Sequence, residues 1–126
     1  PVGSHVPFHC TASGKTFLAS LPAPSRETFV RNLALDAHTD ATLTDPGKLL
    51  DELHQTAERG YALDQEEFMQ GMVAIAVPVM DTEGRFLAAL AFHGPTQRVS
   101  RDSAVARLDV LQQAASQLSH AILLDD

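Results

Sequence analysis

The sequence predicts an α+β domain in which helices pack against an antiparallel sheet. Residues 71–94 have the pattern of a β-hairpin, because two apolar runs flank the turn residues Asp81 to Gly84. Helical periodicity occupies separate stretches before and after this hairpin. The elements do not alternate as strand, helix and strand, so a parallel sheet is not predicted.

The helices before the hairpin are marked by residues typical of helix ends. Residues 12–21 are predicted as a short helix, which the following sequence PAP ends. Ser25 is the predicted N-cap of a second helix, and Asp45 that of a third helix, which Gly60 ends. Residues 36–44 are polar and β-branched, and are predicted as a loop with a short extended piece.

A strand precedes the hairpin, and a helix follows it. The sequence YALD at residues 61–64 predicts the strand, and residues 100–124 are predicted as one long amphipathic helix. The predicted apolar stripe of this helix consists of Leu108, Leu111, Ala115, Leu118 and Ile122.

Composition excludes several classes of protein. The 126 residues suffice for one domain with a core. The single cysteine, Cys10, cannot form an internal disulfide, fits a reducing cytoplasm, and is expected to be a small buried residue. Sixteen acidic against nine basic residues argue against direct nucleic-acid binding. The sequence has neither a membrane-spanning apolar run nor a signal peptide, so a cytoplasmic location is predicted.

The two faces of the hairpin differ in side-chain size, because side chains alternate along a strand. The bulky face carries Val73, Ile75, Val77, Val79, Phe86, Ala88, Leu90 and Phe92. The other face carries Met72, Ala74, Ala76, Pro78, Leu87, Ala89, Ala91 and His93. Alanines on a sheet face either admit a close helix or leave room for a small molecule. The residues alone favour the close helix, because pockets are few per protein.

The sequence SGKT at residues 13–16 is similar to the end of a phosphate-binding loop. That loop needs a glycine five residues before Gly14, where this chain has His9. A side chain there prevents the tight backbone wrap that glycine allows. The segment is therefore predicted as a helix N-terminus rather than a nucleotide site.

Metal and enzyme sites are not predicted. His9, Cys10 and His93 are residue types that zinc prefers, but their spacing is not that of a zinc site, so neither a metal nor a cofactor is expected. Ser13, His93 and Asp64 could supply a nucleophile, a base and an acid, but their spacing does not support an enzyme. Surface positions without a function are expected for His38, His54 and His120.

Three stretches, TASGK, GYALDQEEFMQGMVAIAVPVMD and FHGP, together resemble the effector-binding domain of the IclR family of bacterial transcriptional regulators. The residues in register with that family's signature are Gly60, Asp64, Glu67, Ala74, Ile75, Ala76, Val79 and Asp81. Met80 departs from it, since an aromatic residue or histidine is usual there. Thr39 and Thr42 also fit the family's order, and the resemblance covers nearly the whole chain.

The resemblance implies a GAF-like fold, with a curved antiparallel sheet, helices on both sides and a ligand cavity on the concave side. Family members join this domain to an N-terminal winged helix-turn-helix and act as dimers or tetramers. Residues 1–126 are therefore expected to be the effector-binding domain of a longer regulator, which contacts operator DNA only through a domain outside this chain. The first strands of the family's domain are expected to precede residue 1.

The resemblance also implies a ligand pocket for a small organic acid, and makes the alanine face its ligand side. The implied ligand-binding residues are Ala12, Ser13, Gly14, Phe17, Leu18, Asp64, Met72, Ala74, Ala91 and His93. Backbone N–H groups of Ser13 and Gly14 would hold a carboxylate. Ala74 and Ala91 stand where the family often has Cys and Ser, so a less polar pocket suited to a larger, aromatic acid is expected.

Two acidic positions keep alternative roles. Asp64 either accepts a hydrogen bond from a ligand hydroxyl or caps the strand end. Glu66 and Glu67 are not predicted as a catalytic pair, because adjacent extended residues point apart. Both are expected on a solvated face, although the signature position of Glu67 offers a turn-anchoring role.

The predicted function is small-molecule sensing that modulates DNA binding. The alternatives are a metal-binding or enzymatic domain and a ligand-free dimerisation module.

Overall fold

The computed structural model describes residues 7–124 and has the predicted α+β architecture. In chain order, the elements are α1 (Ala12–Ser20), α2 (Ala23–Arg31), α3 (Pro46–Arg59), β1 (Ala62–Gln65), β2 (Met72–Met80), β3 (Phe86–Pro95), α4 (Arg101–Val105) and α5 (Leu108–Leu124). The three strands form one antiparallel sheet in the order β1–β2–β3. None of the helices in this part of the chain combines the length and apolar character needed to cross a bilayer.

The strand register separates the two faces of the sheet as the alternation predicted, with one exception. The prediction for Phe86 is wrong, because a register shift beside Val79 pairs Phe86 with Met80, and its ring packs against Phe17 of α1 rather than on the bulky face. Ile75 pairs with Leu63 on β1 and with Phe92 on β3, all on the bulky face. Leu111 and Ala115 of α5 pack in the same core as this face. Helix α1 packs on the opposite face, so helices cover both sides of the sheet, as predicted.

Helix α1 approaches the small-residue face closely. Ala12 is buried with Ala74 and Ala76, and Ala91 packs beside them. The close-helix interpretation of the alanine face is therefore correct at these positions. Methyl side chains on both surfaces allow the helix and the sheet to come together at short distance.

A second core joins the helices to one another. Leu18 of α1 and Val30 of α2 pack with Leu49 and Leu53 of α3, and all four are fully buried. The cap of α3 is as predicted: the Asp45 carboxylate accepts a hydrogen bond from Lys48 N at 2.9 Å, and Gly60 ends the helix in the left-handed conformation. This core fixes α1 beside the sheet.

Three predictions about the helices and loops are wrong in detail. Helix α2 begins at Ala23, two residues before Ser25, with Pro22 at the N-cap, and Pro24 occupies the first turn, where proline is well tolerated. The predicted helix over 100–124 is interrupted, since Arg107 N bonds to the Ala104 carbonyl three residues back rather than four. The loop at 36–44 contains no extended strand.

The predicted stripe of α5 is buried only in part. Leu111 and Ala115 are buried, whereas Leu118 and Ile122 are 41% and 37% exposed. Ser119 donates a hydrogen bond to the carbonyl of Met80, the last residue of β2. The helix therefore continues past the end of the strand, where the sheet no longer covers its apolar side.

Candidate functional site

Asp64, Ala74 and His93 form one row across the three strands. Asp64 on β1 pairs with Ala74 on β2, which pairs with His93 on β3. Directly paired residues point to the same face of a sheet. The two polar side chains thus stand on either side of a methyl group, with their backbones about 9.5 Å apart across two strand spacings.

A cavity of about 450 Å³ lies over this row. The residues that line it are Thr11, Ser13, Asp64, Phe68, Met69, Met72, Val73, Ala74 and His93. Most of the wall is apolar, and the polar groups stand at the edges. This size and composition suit a small organic molecule with a few polar substituents.

The N-terminus of α1 forms one edge of the cavity. Thr11 is the N-cap, and its hydroxyl accepts a hydrogen bond from Gly14 N at 3.0 Å and donates one to the Pro7 carbonyl at 2.8 Å. The Gly14 N–H is therefore not free for a ligand, which corrects the expectation for that group. The Ser13 N–H belongs to the first turn, whose amides have no acceptor within the helix.

Gly14 is required for a close approach of backbone segments. A Cβ at this position would lie 2.5 Å from Phe8 Cα and 2.6 Å from the Phe8 carbonyl oxygen. The glycine lets the segment before α1 fold back on the first helical turn. Its role is packing against this segment.

Asp64 has the predicted capping role, and its side chain also lies on the cavity wall. Its carboxylate accepts a hydrogen bond from Glu67 N at 2.8 Å and so caps the turn after β1, and it also lines the cavity. Burial raises the pKa of the Asp64 carboxyl group, while this hydrogen bond and the Lys15 charge partly oppose the rise. A carboxyl group in this setting is well placed to exchange a proton or a hydrogen bond with a bound molecule.

Lys15 and Glu67 form a buried ion pair beneath the site. The Lys15 ammonium donates to both carboxylate oxygens, at 2.9 and 3.0 Å. The expectation that Glu67 is solvated is wrong, because only 8% of this residue is exposed, and 1% of Lys15. Burial raises the pKa of the Glu67 carboxyl group, and the attraction to Lys15 offsets part of that rise. The lysine of SGKT thus joins α1 to the β1–β2 turn.

Two threonines anchor the loop before α3 to the same turn. The Thr39 hydroxyl donates to the Glu66 carbonyl at 2.5 Å, and the Thr42 hydroxyl donates to the Glu67 carbonyl at 2.6 Å. The Thr42 hydroxyl also accepts from His38 N at 3.0 Å and Thr39 N at 2.9 Å. This turn is therefore bound from two sides, by the loop and by Lys15.

The structure brings half of the predicted ligand-binding residues together. Ser13, Asp64, Met72, Ala74 and His93 line the cavity. Ala12 and Ala91 lie beside it, where α1 contacts the sheet. Leu18 is buried in the core between the helices, and Phe17 packs against Phe8, Phe29 and Phe86, so neither lines this cavity.

Sequence reasoning missed four lining residues. They are Thr11, Phe68, Met69 and Val73. Thr11 could have been found as the residue type that favours an N-cap before the first helix. Phe68 and Met69 follow the signature Glu67, but nothing in their local pattern indicates that the turn folds over the sheet.

One metal-binding arrangement considered from the sequence is not formed in the part of the chain that the structure describes. His93 lines the cavity, and does not join His9 and Cys10. Within residues 7–124, the group with metal-type spacing instead combines His9 and Cys10 with His38. A groove of about 650 Å³ also runs along α2 and the two residues after it, between Pro24 and Leu33, and most of its lining residues are exposed.

Comparison with known proteins places the chain and its fold in a family. The family model described as bacterial transcriptional regulator IclR C-terminal matches residues 1–120. The probable transcriptional regulator SauR of Cupriavidus necator is 40% identical over 116 residues, which cover 92% of this chain and 46% of that protein. The chain spans about half the length of the curated relatives it matches.

Solved structures agree with this assignment. A double mutant of the PobR transcription factor inducer binding domain from Acinetobacter, in complex with 3-hydroxybenzoic acid, superposes with a TM-score of 0.87 at 31% identity, covering 94% of this chain and 69% of that chain. The C-terminal domain of the E. coli transcriptional regulator KdgR gives a TM-score of 0.85 at 33% identity, covering 94% and 72%. These names agree with the prediction of a regulatory domain rather than an enzyme. The chain therefore belongs to the IclR family of bacterial transcriptional regulators, as a C-terminal, effector-binding domain.

Proposed function

We propose that this domain senses a small aromatic carboxylic acid that carries a hydroxyl group. The observation that carries the proposal is the cavity between the N-terminus of α1 and the row of Asp64, Ala74 and His93. It offers an anion-binding edge, an apolar middle and a buried hydrogen-bond acceptor. A hydroxylated aromatic acid matches these three regions in that order.

The carboxylate of the ligand binds at the N-terminus of α1. The partial positive charge of the helix favours an anion there, and the first-turn amides, including Ser13 N, need acceptors. The Ser13 side chain is only partly buried and lies on the cavity wall, so its hydroxyl adds a second donor. The neighbouring Gly14 amide takes no part, because Thr11 caps it.

The ring of the ligand lies over Ala74, between Phe68 and Met72. Both side chains are partly buried on the cavity wall, and aromatic and thioether groups bind a flat ring well. The carboxylate of Asp64 accepts the hydrogen bond of the ligand hydroxyl, and His93 binds from the open rim. Support comes from the similar PobR domain, whose structure contains 3-hydroxybenzoic acid.

Thermal unfolding with a panel of acids tests the ligand class. The panel contains 3- and 4-hydroxybenzoate, benzoate, and acids of two and three carbons. A ligand at about a hundred times its dissociation constant stabilises the folded state by roughly 2.7 kcal/mol, which raises the midpoint of a domain of this size by several degrees. We expect the largest rise with a hydroxybenzoate. A larger rise with the two- or three-carbon acids, or none with any acid, overturns the proposal.

Substitutions on the sheet give matched variants for this test. Ala74→Leu fills the middle of the cavity and is expected to abolish the rise in midpoint. Ala89→Leu makes the same change on the same face of the sheet. Ala89 pairs with Pro78, two same-face rows away from Ala74, so this variant is expected to retain the rise in midpoint. An unchanged response in Ala74→Leu contradicts a ligand in this cavity.

We propose further that the ligand changes operator binding by the DNA-binding domain of the longer regulator, as a cytoplasmic homodimer or homotetramer. A ligand shifts such an equilibrium only by its difference in affinity for the two states. In the full-length protein, the acid that stabilises this domain should change the operator dissociation constant, and Ala74→Leu should remove that change. Equal operator affinity with and without the acid contradicts this mechanism, while leaving ligand binding intact.

A further inference from the structure

We propose that His9, Cys10 and His38 bind a zinc ion at a second site, beside the effector cavity. One nitrogen of each imidazole and the cysteine sulfur lie within 4.8 Å of one another. One thiolate and two imidazoles are a ligand set that zinc prefers. The proposal rests on this cluster, and stands independently of the ligand proposed for the cavity.

The three residues differ in accessibility in a way that suits metal entry. His9 and Cys10 are buried, at 3% and 0% exposure, in the segment before α1. His38 is exposed, in the loop before α3. A metal ion can therefore meet His38 at the surface and complete its coordination at the buried pair.

The hydrogen bond of His9 prepares this ring for a metal. Its Nε2 lies 2.8 Å from the Asp36 carbonyl oxygen, which only accepts, so Nε2 carries the proton. The lone pair of the ring is then on Nδ1. Ligating histidines commonly donate their second ring nitrogen to a backbone carbonyl or carboxylate, which fixes both the tautomer and the orientation. Asp36 supplies that partner here.

The surroundings of Cys10 combine burial with nearby charges of both signs. Burial raises the pKa of the Cys10 thiol to about 12, and the nearby Asp64 and Glu67 carboxylates add to the rise, while Lys15 opposes it. Zinc binding forms the Zn–S bond and releases the thiol proton to solvent.

A small closing movement completes the coordination. Ligand atoms on a tetrahedral zinc ion are separated by about 3.3–3.7 Å, so the separations of up to 4.8 Å in this cluster shorten by at most about 1.5 Å. The exposed loop residue His38 makes this movement, while the buried pair stays in place. Its ring already packs near His9, with ring centroids 5.8 Å apart. Water occupies the fourth position, open to solvent.

Metal titration of the chain tests this site. Zn²⁺ is added in competition with a chromophoric chelator at neutral pH, and Co²⁺ is used as a spectroscopic substitute. We expect one equivalent of metal, and a thiolate-to-cobalt charge-transfer band. His38→Ala removes a direct ligand, and should weaken zinc binding by more than the roughly 100-fold that loss of a second-shell partner can cause.

Two further variants separate the site from non-specific binding. Cys10→Ser should remove the charge-transfer band, and His54→Ala, at a histidine that is exposed on α3, should bind zinc like the unaltered chain. Circular dichroism confirms that each variant is folded, and His38→Ala, at an exposed position, keeps the test valid if Cys10→Ser does not fold. Absence of stoichiometric binding, or equal binding by His38→Ala, overturns the proposal.

Discussion

Asp64 and His93 face the same cavity from opposite edges of the sheet, with Ala74 between them. Asp64 is 6% exposed, whereas His93 lies open to solvent at the rim. Burial raises the pKa of the Asp64 carboxyl group, so Asp64 contributes to the pH dependence of folding.

Asp64→Asn should flatten the dependence of stability on pH. Because burial raises the folded-state pKa of Asp64 above 3.8, the folded protein binds more protons than the unfolded chain as pH rises from about 4 through that pKa. The free energy of unfolding of the unaltered chain therefore falls across this range. Asparagine removes the buried charge but keeps the oxygen that accepts from Glu67 N.

Urea unfolding from about pH 4 to about pH 8 checks this prediction. Asp64→Asn should be more stable than the unaltered chain at neutral pH, and should lose less stability as pH rises. In Asp64→Asn, stability should still fall with rising pH, but less steeply, because burial also raises the pKa of Glu67. Asp51→Asn, at an exposed position, measures the general effect of losing one charge. A slope equal to that of the unaltered chain contradicts the role assigned to Asp64.

Removing one partner of the Lys15–Glu67 pair should be strongly destabilising. Lys15→Met or Glu67→Gln leaves the other charge buried and unpaired, which costs about 3–5 kcal/mol. The double variant removes both charges and retains an acceptor for Gln65 N. We therefore expect the double variant to regain most of the lost stability.

A double-mutant cycle from urea unfolding measures this coupling. The exposed pair of Arg31 and Glu27, 3.5 Å apart, serves as the control. Its cycle with Arg31→Met and Glu27→Gln should give about 0.5 kcal/mol or less. Additive losses at Lys15 and Glu67 would mean that the two charges do not stabilise one another.

Local patterns predicted the elements of this fold well. Apart from Phe86, which a register shift moves to the other face, the hairpin faces follow from a two-residue alternation, and the end of α3 follows from a glycine that adopts a positive φ. Both features depend on residues that are close to one another in the sequence. The prediction of one continuous helix over 100–124 is wrong at Arg107, where the helix is interrupted. The Arg107 guanidinium lies over the Phe92 ring of β3 there, a tertiary contact that no local pattern indicates.

The candidate site was harder to predict, because its polar contacts join distant residues. Lys15 and Glu67 are 52 positions apart in the sequence, and no local pattern indicates that they form a buried ion pair. His38 likewise joins His9 and Cys10 only through folding of the loop before α3. The family resemblance indicated the cavity edge at Ser13 and the row at Ala74, but not the residues that close over it.

Gly14→Ala should destabilise the domain, although alanine is the better helix former. In an ordinary helix this change stabilises by up to about 1 kcal/mol. Here the new methyl group would lie 2.5 Å from Phe8 Cα, and overpacking of this kind costs about 1–3 kcal/mol. Gly47→Ala in α3 is the control, because the nearest atom to its new methyl group is an Asp45 carboxylate oxygen at 3.3 Å, well beyond the 2.5 Å found at Gly14. Thermal unfolding should show a lower midpoint for Gly14→Ala only.

Thr42→Val should loosen the loop before α3 from the β1–β2 turn. One buried hydroxyl makes three hydrogen bonds there, accepting from His38 N and Thr39 N and donating to the Glu67 carbonyl. Valine matches the shape of threonine but leaves these partners unsatisfied, at a cost of about 2 kcal/mol or more.

Thr42→Ser is the matched variant, since it keeps the hydroxyl and loses only a methyl group. Urea unfolding should show a large loss of stability for valine and about 1 kcal/mol or less for serine. Amide hydrogen exchange should also become faster at His38 and Thr39 in the valine variant, because their N–H groups lose their acceptor. Equal losses for the two variants would show that packing of the methyl group, rather than the hydroxyl, holds this loop in place.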